Sequence, residues 1–135
     1  MRYTDKLDSV TKDKLTGFFV GWPNPPSPET HMKLLENSSH IVLAVEEESG
    51  QVVGFITAIS DGVLSAYIPL LEVVPEFQGQ GIGNELVKQM LQKLDGLYMV
   101  DLLCDEELQP YYEKQSMIKA TGMMIRNYQN QSGKG

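Results

Sequence analysis

The sequence contains a single cysteine, Cys104, and only two histidines. One thiol cannot form an internal disulfide, and one cysteine with two histidines is a poor ligand set for a metal ion. Long apolar runs are also absent, because stretches such as residues 41–45 and 52–59 fall far short of the roughly 20 residues that cross a bilayer. Residues 1–10 are too charged for a secretory signal. We therefore expect a soluble, cytoplasmic protein with no disulfide, no metal and no membrane partner.

Basic residues are scarce, and none occurs between Lys33 and Lys88. Eleven lysines and arginines against eighteen acidic residues give a formal net charge of -7. Because nucleic-acid binding depends on basic patches that neutralise phosphates, this balance disfavours a nucleic-acid partner. A negative surface attracts cations such as protonated amines, although it serves solubility equally well.

The length of 135 residues suits one domain with a single core. Its first part predicts a short strand over residues 1–4 and a helix over residues 8–21. A stiff loop follows at residues 22–26, where three prolines in four positions prevent regular hydrogen bonding. Ser27 then reads as the N-cap of a second helix over residues 28–36, with proline at its first position.

The middle of the chain predicts a meander of three antiparallel strands. Residues 41–45 and 52–60 are rich in β-branched side chains and are joined by a short acidic, polar stretch, which indicates a hairpin. A turn at residues 61–62 leads to a third strand over residues 64–74, which Pro75 ends.

The last third of the chain predicts two more helices and two more strands, in the order helix 81–94, strand 97–104, helix 108–115 and strand 119–126. The expected fold is therefore α+β, with a mixed sheet of about six strands flanked by about four helices. We expect one domain over residues 1–126 and a polar, disordered tail over residues 127–135.

Residues 71–83 form a predicted strand that runs through a glycine-dense turn directly into an amphipathic helix. Such a junction leaves backbone N–H groups unpaired, and the helix adds about half a positive charge at its N-terminus. Glycines allow close approach, so the turn suits a phosphate or diphosphate. The turn contains no lysine or arginine, so the backbone would supply nearly all the attraction. Glycines that serve only a tight turn are the alternative.

The spacing of the glycines narrows the choice of phosphate ligand. A dinucleotide fingerprint has glycine at its first, third and sixth positions, but counting from Gly79 puts Asn84 sixth. The preceding strands also form a meander instead of opening a βαβ unit. A Walker-type loop needs glycine followed by lysine and a hydroxyl residue, and Asn84 and Glu85 follow Gly83 instead. NAD and ATP are therefore disfavoured.

The turn Gln78-Gly79-Gln80-Gly81-Ile82-Gly83 resembles the signature of the GNAT superfamily of acyl-CoA-dependent N-acyltransferases. That signature is Gln or Arg, two variable residues, Gly, one variable residue, then Gly or Ala. Upstream, residues 71–77 resemble the family's strand with its proline-ended exit. Downstream, residues 111–115 resemble its aromatic, Tyr, Glu, Lys segment. The order of elements is similar to that of the family over residues 1–126.

The resemblance implies a twisted, mostly antiparallel sheet in which a splayed strand forms the cleft for coenzyme A. It also implies direct transfer of an acetyl group from acetyl-CoA to a primary amine of a small molecule or protein, without an acyl-enzyme. Backbone N–H groups near Val73 and Val74 would meet the acyl carbonyl, and the pantetheine would pair along the strand. The implied cofactor-binding residues are Leu71, Val73, Val74, Gln78, Gly79, Gln80, Gly81, Ile82, Gly83, Asn84, Asp105 and Tyr112.

Acyl transfer to an amine needs a base, because an amine with a pKa near 10.4 is only about one part in a thousand neutral at pH 7. Glu72 is the candidate, acting directly or through water, since it is the only carboxylate in an apolar strand and partial burial would raise its pKa. A carboxylate on the solvated face, or paired with a neighbour, is the alternative. Tyr112 stands where the family commonly has the tyrosine that protonates the leaving thiolate, whereas Tyr111 is expected in the core.

The chain departs from the family pattern in two places: Asp105 replaces the frequent Asn, and Ser116-Met117 replace the frequent Gly-Phe. We expect His31, His40 and Cys104 to be structural, and the loop 22–26 either to border the acceptor pocket or to plug the core.

A non-catalytic acyl-CoA-binding regulatory module is the alternative function, because no base is unambiguous. A different nucleotide-binding protein is a third and weaker alternative. An exposed strand edge would also allow a homodimer.

Overall fold

A six-stranded mixed sheet forms the centre of the computed structural model, which describes residues 1–134. The strands are β1 (Arg2–Thr4), β2 (His40–Val45), β3 (Val52–Ser60), β4 (Ser65–Tyr67), β5 (Leu71–Val73) and β6 (Met99–Asp101). Their order across the sheet is β1-β2-β3-β4-β6, and β5 also pairs with β3. All pairs are antiparallel except β4 with β6, which is parallel. The predicted α+β class and mostly antiparallel sheet are confirmed.

The predicted third strand over residues 64–74 is divided into β4 and β5. Both pieces pair with β3, but only β4 also pairs with β6. The division falls at Pro69, which has no N–H to offer to a ladder. The N–H of Ile68 makes the last bond across to β6, at 2.9 Å from the carbonyl oxygen of Asp101. Beyond it, β5 stays on β3 and the chain after β6 has no strand partner among the described residues, so a cleft opens.

Three α-helices accompany the sheet: α1 (Pro28–Asn37), α2 (Ile82–Lys93) and α3 (Gln109–Glu113). Helix α1 begins as its sequence predicts, because the Ser27 hydroxyl accepts a hydrogen bond from the Thr30 N–H at 3.1 Å. Of the four predicted helices, 28–36 and 81–94 are confirmed within a residue or two. The predicted helix 108–115 shortens to α3, after a 3-10 turn at Glu106–Leu108.

The two faces of the sheet carry separate apolar clusters because side chains alternate along each strand. In β2, Val42 and Ala44 join the cluster under α2, while Ile41, Leu43 and Val45 join the cluster under α1. We call these surfaces the α2 face and the α1 face. Gly54 lies on the α2 face, where a Cβ would sit 3.1 Å from Leu86 Cδ1, so its hydrogen lets α2 pack close to the sheet.

The predicted helix over residues 8–21 is wrong, since only Lys12–Lys14 form a 3-10 turn there. Gly17 and Phe19 have φ angles of 91° and 61°, which an α-helix cannot contain. The apolar residues that suggested a helix, Val10, Leu15 and Phe19, are nevertheless buried. Tertiary packing of these side chains on the α1 face decides the backbone of this segment.

The predicted strand over residues 119–126 is also wrong, because this stretch is exposed and pairs with no strand of the described chain. The predicted strand over residues 97–104 shortens to β6. In the tail, Tyr128–Asn130 form a 3-10 turn, and the Gln131 side-chain oxygen accepts a hydrogen bond from the Asn24 N–H at 2.9 Å. The end of the domain at residue 126 and the disorder of the tail stay predictions, and Gly135 lies outside the described residues.

Within residues 1–134, no helix combines the length and the apolar character that crossing a membrane would need.

Candidate active site

The cleft is lined on one side by the outer edge of β5. The Val74 N–H donates to the Val53 carbonyl oxygen at 2.9 Å. Because bonded and non-bonded residues alternate along an antiparallel pair, Val73 turns its N–H and C=O away from β3 and toward the cleft, as does Leu71. The expectation that both Val73 and Val74 present an N–H is therefore corrected: the N–H of Val74 is used within the sheet.

A short turn connects β5 to α2, and a hydrogen bond from the Gln78 side chain closes it. Pro75–Phe77 form a 3-10 turn, and the Gln78 amide nitrogen donates back to the Val73 carbonyl oxygen at 2.9 Å. This bond fixes Gln78 beside the strand. The Gln78 N–H also donates to the Pro75 carbonyl oxygen at 3.3 Å, so only the second hydrogen of its amide nitrogen remains as a donor, and the binding role of Gln78 stays a prediction.

The glycines of the turn adopt conformations that favour glycine and leave open space above them. Gly79 and Gly81 have φ angles of 78° and 83°, and a Cβ on either would have no atom within 4 Å. Gly81 is the N-cap of α2, and the first bond of the helix runs from the Glu85 N–H to the Gly81 carbonyl oxygen. Glycines without side chains above the turn let an anionic group approach the backbone N–H groups at the helix N-terminus, and a larger residue at these φ angles would be strained.

Six consecutive backbone N–H groups, those of residues 79–84, donate to no protein group within the described chain. They lie at the positive end of the α2 dipole, and the chain has no lysine or arginine between Lys33 and Lys88, a stretch that includes the turn. Gln80 is exposed beside them, whereas the Ile82 side chain is buried and anchors the first turn of the helix. The arrangement fits an anionic group, such as the diphosphate of coenzyme A, bound by main-chain donors.

The segment after β6 returns to the first turn of α2. The Gln115 side chain donates to the Asn84 side-chain oxygen, and a Cβ on Gly83 would lie 3.2 Å from the Tyr111 hydroxyl oxygen. That hydroxyl is buried without a hydrogen-bond partner in the described chain, and burial raises its pKa to about 12. Tyr111 is thus a contact of the glycine turn, which the sequence analysis missed. The sequence signal was its place as the aromatic residue before Tyr112 in the segment 111–115.

Tyr112 packs on the α2 face beside Tyr111, with the two rings perpendicular and their centroids 5.1 Å apart. Burial, with smaller contributions from Tyr111 and Cys104, raises the pKa of Tyr112 to about 12. The hydroxyl is therefore protonated at any physiological pH and can donate a proton. Asp105 is exposed at the start of the 3-10 turn before α3, and its side chain makes no capping bond.

Glu72 points to the opposite side of the sheet from Tyr112. It lies opposite Phe55, which belongs to the α1-face cluster, and its Oε1 accepts a hydrogen bond from the Phe19 N–H at 2.8 Å. Burial raises the pKa of the Glu72 carboxyl, and the bond from Phe19 partly opposes that rise. The alternative of a freely solvated carboxylate is excluded. The carboxylate is paired with a neighbour through Oε1 only, and Oε2 has no hydrogen-bond partner in the described chain.

A cavity of about 400 Å³ lies on the same face as Glu72. Phe19 and Leu70 belong to its wall, and Leu70 shares the face of Glu72 because the two are separated by one residue. Trp22 also lines it and packs on Phe19, with ring centroids 4.9 Å apart. The loop 22–26 therefore borders a pocket, and its place at the acceptor site stays a prediction.

The remaining titratable candidates behave as structural residues. His31 is buried among Phe18, Phe19 and Phe55, and burial lowers its pKa to about 4, so it is neutral at physiological pH. Burial, followed by Asp105 and Glu107, raises the pKa of the Cys104 thiol, which disfavours a thiolate nucleophile. Among the described residues, no three His, Cys, Asp or Glu side chains form a group that could hold a metal.

Comparison with known proteins decides the family. The profile of the Acetyltransferase (GNAT) family matches residues 7–117, which is most of the chain. The chain belongs to the GNAT family of acetyltransferases. It is 30% identical over 104 residues to the uncharacterized N-acetyltransferase ycf52 of Pyropia yezoensis, a match that covers 74% of this chain and 59% of that relative. This GNAT chain therefore spans only about three-fifths of the relative's length.

Solved GNAT structures share the fold. A Deinococcus radiodurans R1 protein that is itself assigned as an acetyltransferase is 46% identical, with a TM-score of 0.94, over 97% of this chain and 91% of that one. A GNAT-family acetyltransferase from Streptococcus pneumoniae TIGR4 is 28% identical, with a TM-score of 0.72, over 93% of this chain and 96% of that one. Both matches cover nearly the whole chain.

Proposed function

We propose that this chain is an N-acetyltransferase that moves the acetyl group of acetyl-CoA directly onto a primary amine of a small molecule or a protein. The observation that carries the proposal is the row of six free backbone N–H groups at residues 79–84, next to the open edge of β5. In this proposal the turn binds the diphosphate, and the outward backbone of Leu71 and Val73 binds the pantetheine.

Val73 is the residue proposed to donate a hydrogen bond to the acyl carbonyl oxygen. Its N–H faces the cleft and is available as the donor that stabilises the negative charge developing on the carbonyl oxygen. The amine nitrogen attacks the carbonyl carbon, the carbon–sulfur bond breaks, and the amine must lose a proton. Glu72 is the proposed acceptor of that proton, because its second oxygen is free and its pKa is raised.

Tyr112 is the proposed donor to the departing sulfur. Its pKa of about 12 keeps the hydroxyl protonated, although it lies well above the roughly 8.5 of a free thiol. The hydroxyl therefore acts first as a hydrogen-bond donor to the sulfur. After the proton has moved to the sulfur, the Tyr112 phenolate takes a proton back from water. Glu72 and Tyr112 lie on opposite faces of the sheet, so we propose that the amine enters from the α1 face and the coenzyme binds on the α2 face.

Calorimetry with coenzyme A and thiol release from acetyl-CoA over a panel of primary amines test the proposal. We expect binding of coenzyme A, amine-dependent thiol release and an acetylated product by mass spectrometry. Tyr112→Phe should lower kcat by about tenfold to a hundredfold with little change in coenzyme A affinity. Tyr111→Phe is the matched control, because it removes the neighbouring hydroxyl and should leave kcat largely unchanged.

The outcomes separate the alternatives. Coenzyme A binding without turnover over the whole panel would favour the acyl-CoA-binding regulatory module. Thermal stabilisation by NAD or ATP but not by coenzyme A would contradict both readings and favour a different nucleotide-binding protein. Full turnover by Tyr112→Phe would contradict the role of Tyr112 alone.

A further inference from the structure

Residues 131–133, which we call the tail contact, return to the α1 face near the end of the chain. The preceding residues 118–130 are exposed, whereas Gln131 is half-buried. The Gln131 side-chain oxygen accepts a hydrogen bond from the Asn24 N–H at 2.9 Å. This bond joins the end of the chain to the loop 22–26, more than a hundred residues earlier in the sequence.

A glycine lets the tail contact lie directly against the first turn of α1. Gly133 has a φ of 77°, and a Cβ at this residue would lie only 2.8 Å from Thr30 Cγ2. Gln131 and Gly133 both line the cavity of about 400 Å³ on this face. The tail contact therefore forms one wall of the cavity that adjoins Glu72.

The rest of the cavity wall is mostly apolar. Its apolar side chains come from three separate parts of the chain and are Phe19, Trp22, Pro26, Leu34 and Leu70. Among the described residues that line the cavity, Lys33 is the only charged one and none is acidic. Pockets for small molecules have volumes of about 300 to 1,000 Å³ and mostly apolar walls with a few polar groups, so this cavity has the size and lining of such a pocket.

The charges around the cavity favour a ligand with one amino group. The Phe19 ring lines the cavity while the Phe19 N–H donates to the Glu72 carboxylate at 2.8 Å, so Glu72 lies beside the cavity and can take the proton of one ammonium group. A second ammonium group in the cavity would meet an apolar wall and Lys33 of like charge. An unpaired charge against an apolar wall is unfavourable, and so is a like-charge contact.

We propose that the acceptor is a small primary monoamine with an aliphatic or aromatic body, and that the tail contact is a wall of the pocket that binds this body. This inference rests on the proposed function. The amine nitrogen bonds to the acetyl carbonyl carbon, the carbon–sulfur bond breaks, and its electron pair leaves with the sulfur. The amine proton passes to Glu72 and the sulfur receives a proton from Tyr112, so the products are an amide and coenzyme A.

A matched pair of amines tests the substrate class. Hexylamine and 1,6-diaminohexane have the same carbon chain and differ in one terminal ammonium group. With the full chain and acetyl-CoA, kcat/KM should be at least about tenfold higher for hexylamine. Lys33→Glu should bring the two values to within about twofold of each other, because a carboxylate at this place can pair with the second ammonium group. Lys6→Glu makes the same charge change at an exposed residue outside the cavity and should leave the ratio unchanged.

Gln131→Ala tests the tail contact, because it removes the bond to the Asn24 N–H. We expect KM for hexylamine to rise about fivefold to tenfold, while kcat and coenzyme A affinity change by less than about twofold. Gln129→Ala is the matched control, since Gln129 is exposed in the same part of the chain and does not line the cavity. Its KM should equal that of the wild type.

Calorimetry of hexylamine with the coenzyme A complex measures the pocket without turnover. Binding that weakens about fivefold or more in Gln131→Ala supports the pocket, and if thiol release is then absent, only the proposed function is contradicted. No heat of binding at about 10 mM hexylamine overturns the inference. A kcat/KM for 1,6-diaminohexane, or for a lysine side chain in a blocked peptide, that equals or exceeds that for hexylamine also overturns it. An unchanged KM in Gln131→Ala overturns the role of the tail contact.

Discussion

The two sides of the cleft are built in different ways. The glycine-turn side, residues 73–84, is one contiguous stretch that presents backbone N–H groups. The Glu72 side combines the Glu72 carboxylate with the backbone N–H and the ring of Phe19, on which the rings of Trp22 and His31 pack. Glu72 is distant in the chain from the other three residues. A site made of backbone in one stretch depends on local conformation. A site made of distant side chains depends on how the whole α1 face packs.

The largest expected effect is a loss of coenzyme A affinity, and it tests the glycine-turn side. Gly81→Val places a β-branched residue at a φ of 83° in the open space above the turn. Loss of two or more hydrogen bonds to a charged ligand should weaken coenzyme A binding roughly a thousandfold, about 4 kcal/mol. Calorimetry measures this loss. Gly96→Val is the matched control, because Gly96 has a φ of 100° and open space just beyond the other end of α2. Equal losses in both variants would show that strain, not the cradle, is responsible.

The next effect concerns the pH dependence of the unfolding free energy and tests the packing around His31 on the Glu72 side. His31 has a folded-state pKa of about 4, below its ordinary 6.5, so the unfolded chain binds its proton first as pH falls. Stability from this residue is present above about pH 6.5 and is lost as the pH falls through about 4, by roughly 3 kcal/mol. His31→Phe should flatten the pH dependence of the unfolding free energy in this window, measured by urea titration. Identical slopes for both proteins would contradict the burial argument.

An effect of about a hundredfold in kcat, close to 3 kcal/mol, is expected for Glu72→Gln. The amide oxygen of Gln can still accept the hydrogen bond of the Phe19 N–H, so the packing is kept while the base is lost. Coenzyme A affinity should not change, because the glycine turn is untouched. In the wild type, kcat should fall with decreasing pH at a pKa above that of an ordinary glutamate. An active Glu72→Gln would mean that the carboxylate only holds Phe19 in place.

The smallest effect should come from Trp22→Ala. Trp22 lines the cavity on the α1 face and packs on Phe19. Its removal should raise KM for the amine by about fivefold to tenfold, near 1 kcal/mol, and leave coenzyme A affinity unchanged. Steady-state kinetics with each substrate varied in turn measures the split. A loss confined to coenzyme A affinity would contradict the assignment of the cavity to the amine.

The accuracy of the sequence analysis follows the same contrast. Strands β2 and β3 and helices α1 and α2 were predicted within one or two residues, because each carries its own periodicity and its own start or stop signal. The region around Phe19 was predicted as a helix and is an irregular loop. Its apolar spacing satisfied a helical pattern, but its burial comes from contacts with residues of α1, β3 and β5 that no local pattern contains.

The sequence alone determined the glycine turn at the start of α2, because strand, glycines and helix start lie in twelve consecutive residues and their backbone conformations follow from local chemistry. It also determined which sheet face each residue of β2 takes, since that alternation is a property of any strand. Only the tertiary structure decided that the third strand divides at Pro69, that the Phe19 N–H holds Glu72, and that Tyr111 reaches Gly83. These contacts join residues far apart in the chain, and they form only when both faces of the sheet have packed.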